Sequence, residues 1–182
     1  MRSSIVSLVL LAAVPVGVLA ALAAPPRPKA APALLEVTSP AFGYQQPIPA
    51  EHTCEGANVS PPLAWSKVPP GTRSIAILVD DPDAPKRTFT HWIVTGIPPT
   101  TTSLGKGAAL PEGAVAGKND AGRAGYMGPC PPSGRHRYRF RVYALDIDLG
   151  KAATREELMA LVPDRVLATG ELVGTYQRQA GR

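Results

Sequence analysis

Short runs of β-branched and other apolar residues, separated by proline and glycine, make up most of the chain after residue 33. Such runs are typical of β-strands bounded by turns. Residues 75–79 are apolar at every position, which predicts a central strand covered on both faces. The predicted strands are residues 34–38, 63–65, 73–80, 90–96, 115–119, 136–145 and 172–176.

Residues 136–145 alternate strictly and therefore predict a strand with two different faces. One face carries Arg137, Arg139, Arg141 and Tyr143. The other, core-facing side carries His136, Tyr138, Phe140, Val142 and Ala144. Because His136 and Tyr138 come first, we expect them where the core meets a loop, at a rim that can form a pocket.

One helix is predicted near the C-terminus. Thr154 and Glu157 have the spacing of a capping box, and apolar residues follow at helical intervals. Pro163 is expected to end this helix. These strands and this helix predict a mostly antiparallel β fold class with one or two peripheral helices. Because no repeat or second domain boundary is visible, we expect one domain over residues 34–182.

The N-terminus has the pattern of a secretory signal peptide. After Arg2 the chain carries no charge up to residue 24, and small residues follow the apolar run. We predict a signal peptide over residues 1–23, with cleavage after Ala23 or, as second choice, Ala20, and export to the periplasm or medium. An uncleaved N-terminal membrane anchor is the alternative. Residues 24–33 are rich in proline and predict an extended linker.

Composition narrows the possibilities further. The chain is 45% hydrophobic and 18% charged, which excludes a wholly disordered protein, and its 21 prolines argue against a helical bundle. Three of its positive charges precede residue 34, so the net charge of +5 leaves an excess of only about +2 for the domain, and no nucleic-acid partner is expected. In an oxidising compartment an even number of cysteines is typical of disulfide formation, so we predict a bond between Cys54 and Cys130, with two free thiols as the alternative.

Three predicted strand ends carry chemically versatile side chains. Asp81 and Asp83 stand on either side of Pro82, ahead of Pro85, after the most apolar strand; His91 opens the next strand, and a Pro131-Pro132 turn precedes His136. Proline restricts the backbone and pre-orients the two carboxylates. Taken singly, each residue is also typical of a turn former or a core histidine.

The order of motifs resembles the phosphatidylethanolamine-binding protein family, in particular its bacterial Raf-kinase-inhibitor-like branch. The matching stretches include Cys54-Glu55-Gly56, Ser60-Pro61-Pro62-Leu63-Ala64-Trp65, Asp81-Pro82-Asp83-Ala84-Pro85, His91-Trp92-Ile93-Val94, Asn119-Asp120, Gly128-Pro129-Cys130-Pro131-Pro132, His136-Arg137-Tyr138 and Glu171-Leu172-Val173-Gly174-Thr175-Tyr176. Two positions depart from the family pattern: Glu55 replaces an aspartate, and Ala121 stands where an aromatic residue is common.

The resemblance implies a large antiparallel sheet flanked by a smaller one, with an anion-binding cavity at one end. It also places Cys54 and Cys130 in loops near that end. Carried over by motif, the cavity would be lined by Asp81, Asp83, His91, Pro131, Pro132, His136 and Tyr138.

The implied ligand is a small anionic or phosphorylated molecule resembling phosphoethanolamine, free or as a phospholipid headgroup. No cofactor, metal or catalytic motif is recognisable, so the protein is not expected to be an enzyme. Two other hypotheses remain: an inhibitor that binds a protease or kinase through its loops, and a hydrolase in which the Asp and His side chains hold a metal.

Overall fold

The computed structural model describes residues 31–179 and forms them into two β-sheets, one α-helix and one short 3₁₀ helix. The predicted signal peptide and residues 24–30 of the predicted linker lie outside the described residues. No helix within residues 31–179 is long and apolar enough to cross a membrane.

The chain contributes nine strands in the described part. They are β1 (Ala33–Leu34), β2 (Glu36–Thr38), β3 (Leu63–Ser66), β4 (Ser74–Asp81), β5 (Phe89–Ile97), β6 (Ser103–Leu104), β7 (Val115–Ala116), β8 (Arg135–Leu145) and β9 (Val166–Gln177). The 3₁₀ helix is Ala50–His52, and helix α1 is Arg155–Arg165.

The main sheet has six strands in the order β1-β9-β8-β4-β5-β7, and the smaller sheet has three in the order β2-β3-β6. All pairings are antiparallel except that of β1 with β9 at the edge. The expected fold class, a large antiparallel sheet with a smaller sheet and a peripheral helix, is therefore confirmed.

Strand β4 is buried along its whole length, as its apolar run predicts. Ile75, Ile77 and Val79 pack into the core between the two sheets, whereas Ala76 and Leu78 pack on the side of helix α1. Strand β8 confirms the predicted alternation: its even-numbered residues from 136 onward are buried, and its first three arginines, at positions 135, 137 and 139, lie at or near the surface. The core thus forms on both faces of the main sheet.

The predicted strand over residues 34–38 proves to be two strands in different sheets. Leu34 pairs with Thr169 in the main sheet, and Glu36 pairs with Ser66 in the smaller one. Leu35 and Val37 are both buried between the sheets, so one alternating run supplies core residues while the chain crosses from one sheet to the other.

Strand β9 is longer than the predicted 172–176. Its first half includes Ala168, Gly170 and Glu171, residue types that are depleted in strands, so the sequence pattern does not extend the strand that far. Eleven residue pairs join it to β8. Gly170 is required there, because a Cβ at that position would lie 2.7 Å from Cγ2 of Val37. The two sheets therefore approach each other so closely at this position that only a small residue fits, although no sequence pattern indicates this.

Three further elements differ from the sequence prediction. Helix α1 continues two residues beyond Pro163, and the N–H of Val166 still bonds to the carbonyl of Val162, because a proline removes only its own N–H donor. The strand predicted at 115–119 contains only Val115–Ala116, and Ser103–Leu104 forms a strand that the pattern does not predict.

Candidate functional site

A cavity of about 160 Å³ lies at the end of three neighbouring strands of the main sheet, β8, β4 and β5. Asp81 ends β4, His91 is near the start of β5, and His136 is near the start of β8. The lining residues are Asp81, Ala84, Pro85, Phe89, His91, Met127, Cys130, Pro131, Pro132 and His136. Most of the wall is apolar, and its polar groups are one carboxylate and two imidazoles.

A β-bulge in β5 turns His91 toward this cavity. Val79 pairs with Trp92, but the next residue of β4, Asp80, pairs with Thr90, so His91 is an extra residue on its strand. Simple alternation would have put His91 on the side of Ile93, which packs in the core under helix α1. The bulge instead brings the His91 ring against that of Tyr138, with the ring centroids 5.2 Å apart.

Asp81 holds His136 in one orientation. Nδ1 of His136 donates to Oδ2 of Asp81 at 2.7 Å, and both side chains are more than nine-tenths buried. The second oxygen of Asp81 accepts the backbone N–H of Asp83 at 2.8 Å. The proton on Nδ1 is thereby committed, and Nε2 of His136 has no hydrogen-bond partner among the described residues.

His91 is held in the same way by a backbone carbonyl. Its Nδ1 donates to the carbonyl of Met127 at 2.7 Å, and the N–H of Met127 donates back to the carbonyl of His91. Burial lowers the pKa of His91 below its ordinary value, so the ring is neutral at neutral pH and its Nε2 is a hydrogen-bond acceptor. Within residues 31–179 this Nε2 also lacks a partner.

The loop that closes the cavity is tied to the segment after the 3₁₀ helix. Cys130 forms a disulfide with Cys54, and the N–H of Cys54 donates to the carbonyl of Pro129 at 3.1 Å. The N–H of Gly128 donates to Oδ1 of Asn58 at 2.7 Å. These contacts on both sides of Pro129 hold the Pro131-Pro132 wall in place.

The structure brings together five of the seven residues that the resemblance implied: Asp81, His91, Pro131, Pro132 and His136. Tyr138 does not line the cavity. It lies two residues further along β8, fully buried beneath His91, and burial, followed by the charge of Asp81, raises the pKa of its hydroxyl.

Asp83 is also absent from the lining, because Arg137 binds its carboxylate. The N–H and Nε of Arg137 both donate to Oδ2 at 2.9 Å, and Nη2 donates to Oδ1 at 2.6 Å. These hydrogen bonds lower the pKa of Asp83 to about 2. The two carboxylates on either side of Pro82 therefore have different surroundings: Asp81 lines the cavity, and Asp83 pairs with Arg137 on the outer face.

Sequence reasoning missed part of the wall. Phe89 stands two residues before His91, and its ring centroid is 4.9 Å from that of His91. Met127 lies in a loop with no distinctive pattern, so no sequence signal marks it. The two departures from the family pattern, Glu55 and Ala121, are not among the lining residues.

Within the described part of the chain, no three His, Cys, Asp or Glu side chains are arranged to hold a metal ion. Of the four side chains considered for such a site, Asp83 is bound to Arg137, and Asp81, His91 and His136 remain at the cavity.

Comparison with known proteins gives a consistent result. Residues 38–177 match the family model described as phosphatidylethanolamine-binding protein. A UPF0098 protein of Methanothermobacter thermautotrophicus is 46% identical over 144 residues, which is 76% of this chain and 95% of the relative. A UPF0098 protein of Chlamydia muridarum is 42% identical over 151 residues, or 79% of this chain and 99% of the relative.

Two solved structures have the same fold. A phosphatidylethanolamine-binding protein homologue from Chlamydia trachomatis, CT736, superposes with a TM-score of 0.76 at 40% identity, covering 80% of this chain and 99% of its own. E. coli YbcL, described as a member of the mammalian family, superposes with a TM-score of 0.74 at 37% identity, covering 81% of this chain and all of its own. The chain therefore belongs to the phosphatidylethanolamine-binding protein family.

Proposed function

We propose that the protein binds a small phosphorylated molecule resembling phosphoethanolamine in the cavity between His91 and His136. One observation carries the proposal: both histidines have Nδ1 committed to a protein acceptor, while neither Nε2 has a partner in the described chain. Two fixed imidazole nitrogens around a small cavity are suited to hydrogen-bond a polar head group.

The charge of Asp81 restricts which head groups bind favourably in the cavity. A carboxylate and a second anion about 4 Å apart repel each other by roughly 4 kcal/mol at an effective dielectric constant of about 20. Because His91 is neutral, it does not offset this repulsion. A bound phosphate is therefore favoured when it carries an additional proton, or when the ligand brings its own ammonium group, as phosphoethanolamine does.

The size of the cavity agrees with a head group rather than a whole lipid. Its volume of about 160 Å³ is below the 300 to 1,000 Å³ that is usual for sites of drug-sized ligands. The apolar side chains of Phe89, Met127 and Pro132 line the cavity beside the polar groups, and an apolar wall lowers the local dielectric constant and so strengthens hydrogen bonds made there.

Titration calorimetry with phosphoethanolamine, inorganic phosphate and sulfate tests the proposal. We expect His136→Gln and His91→Gln each to weaken phosphoethanolamine binding by about tenfold, the value of one lost hydrogen bond. Phosphate affinity should also decrease between about pH 5.5 and about pH 8, because the phosphate loses a proton over this range and its larger negative charge is repelled more strongly by Asp81.

His52→Gln is the matched control. His52 is also a buried histidine with Nδ1 bonded to a carbonyl, that of Val59, but it does not line the cavity. Unchanged binding in both cavity variants, with thermal unfolding showing that they are folded, would refute the proposed site. Release of inorganic phosphate from phosphoethanolamine, followed by ³¹P NMR, would identify an enzyme instead of a binding protein.

We also propose that the protein is exported. The N-terminal sequence pattern supports this, and so does the disulfide, since such bonds persist mainly in oxidising compartments. N-terminal sequencing of the protein from its own cells should find a mature chain beginning at Ala24 or Ala21. A chain that begins at Met1 and fractionates with the cytosol would contradict it.

A further inference from the structure

A second concave region lies on the opposite face of the main sheet, outside the histidine cavity. It is a groove of about 270 Å³, and its floor consists of Arg137 and Arg139 of β8 with Glu171 and Val173 of β9. Tyr44, Gln45 and Pro82 complete its lining. The groove and the cavity have no residue in common, because successive residues of β8 face opposite sides of the sheet.

Both arginines in the floor are held at one edge by a carboxylate. Asp83 takes Nε and Nη2 of Arg137, and Asp80 takes Nε and Nη2 of Arg139 at 2.9 and 3.2 Å. The Nη1 group of each arginine has no hydrogen-bond partner in residues 31–179. Arg137 and Arg139 are two residues apart on β8, which places their Cα atoms about 7 Å apart, and each has an oriented guanidinium group with donors left over.

The surroundings have more positive charge than their carboxylates neutralise. Asp80 is completely buried and bonds Arg141 as well as Arg139, with Nε of Arg155 3.5 Å away. The Asp80 carboxylate accepts hydrogen bonds from Arg139 and Arg141, and Nε of both Arg141 and Arg155 is buried without a hydrogen-bond partner. Counting Glu171, four arginines face three carboxylates around the groove.

The wall beside these arginines carries an exposed aromatic ring. Tyr44 is 61% exposed, and among the described residues only it and Leu34 are large hydrophobic side chains so exposed. The adjacent Gln45 adopts a left-handed backbone conformation with φ of 60°, which is uncommon for a residue other than glycine, and its N–H bonds to the carbonyl of Val173. This turn sets Tyr44 and Gln45 against the edge of β9.

We propose that this groove is a second binding site that takes an organic phosphate. The phosphate bridges the free donors of Arg137 and Arg139, since guanidinium groups that are already oriented lose less entropy on binding an anion. The organic part packs on the ring of Tyr44, and Glu171 accepts a hydrogen bond from a hydroxyl or amino group of the ligand.

Phenyl phosphate is a suitable soluble probe because it joins a phosphate to an aromatic ring, and phenol and inorganic phosphate separate the two contributions. We expect phenyl phosphate to bind more tightly than either fragment, and Arg139→Gln and Tyr44→Ala each to weaken it by at least about threefold. Arg139→Gln leaves Asp80 with two arginines, and Tyr44→Ala alters an exposed side chain, so both variants should fold.

His136→Gln is the control, because it changes the cavity and not the groove. If phenyl phosphate binding depends on His136 and is unaffected in the two groove variants, the groove proposal is wrong and the cavity is the site. Co-sedimentation with phosphatidylglycerol vesicles, compared with phosphatidylcholine, shows whether a lipid headgroup is the source of the phosphate. Absence of both soluble and vesicle binding in the wild type overturns the proposal.

Discussion

At the scale of single residues, the cavity depends on which atom holds each polar side chain. His136 is oriented by a carboxylate and His91 by a carbonyl, and each contact leaves Nε2 for another partner. Asp83, only two residues from Asp81, contributes to the outer face through Arg137. One intervening residue, Pro82, thus separates a carboxylate that lines the cavity from one that pairs with an arginine on the outer face.

The ion pair of Asp83 and Arg137 makes a pH-dependent contribution to stability. The pKa of Asp83 is about 2 in the folded protein, compared with an ordinary value of 3.8, so the contribution is present above about pH 4 and is lost as the pH falls through 2. Because Arg137 is 60% exposed and screened by solvent, we expect Asp83→Asn to cost only about 1 kcal/mol of unfolding free energy at neutral pH.

Urea unfolding at neutral pH and near pH 2 measures this difference, which should almost disappear at the lower pH. Asp148→Asn, which removes a carboxylate that is exposed, serves as the control and should change stability little. An equal loss for Asp83→Asn at both pH values would mean that the charge of Asp83 is not the cause.

At the scale of elements, the cavity is formed by a bulged strand and a tethered loop. The bulge in β5 re-aims His91, and the loop from Met127 to Pro132 closes over it through hydrogen bonds and the disulfide. Gly128 packs directly against the end of the 3₁₀ helix. A Cβ there would overlap the carbonyl of His52 and lie 2.8 Å from Cα of Thr53.

Gly128→Ala should therefore destabilise the protein by about 1 to 3 kcal/mol, the usual cost of inserting a methyl group into a tightly packed region. It should also weaken phosphoethanolamine binding, because the displaced backbone carries Met127 and the proline wall. Chemical denaturation and calorimetry on the same sample measure both effects.

Gly105→Ala is the matched comparison, since its Cβ would lie 3.6 Å from its nearest neighbour and its backbone does not require glycine. We expect no loss of stability in that variant. Equal behaviour of the two alanine variants would contradict the close packing described for Gly128.

At the scale of the whole molecule, the strand order brings distant parts of the chain to one site. Strands β8, β4 and β5 are neighbours, so His136 meets Asp81 across 55 positions. The disulfide joins Cys54 to Cys130, which are 76 positions apart. Closing so long a loop reduces the conformational entropy of the unfolded chain.

The Cys54→Ala/Cys130→Ala double variant is expected to lose about 2 to 4 kcal/mol of unfolding free energy, below the roughly 4 to 5 kcal/mol limit of the chain-entropy model. Guanidinium unfolding measures the loss. Reduced wild type should match the double variant, and titration of the unreduced, denatured protein should find no free thiol. Equal stability of oxidised and reduced wild type would refute a stabilising bond.

Much of the fold and part of the site follow from the sequence. The alternation in β8 and the apolar run in β4 identify the core strands, since burial of one or both faces imposes a period of two or a continuous apolar run. The order of motifs identifies the family and five of the cavity residues. Local periodicity and short motifs depend on neighbours along the chain, which a sequence displays directly.

Only the tertiary structure decides the remaining features. The division of residues 34–38 between two sheets, the length of β9 and the bulge at His91 depend on which strands meet and in which register. So does the placement of Asp83 with Arg137 and of Tyr138 below the cavity. These contacts join residues that are far apart in the chain. No sequence pattern predicts them, because the position of each residue is determined by its partner in the folded protein and not by its neighbours along the chain.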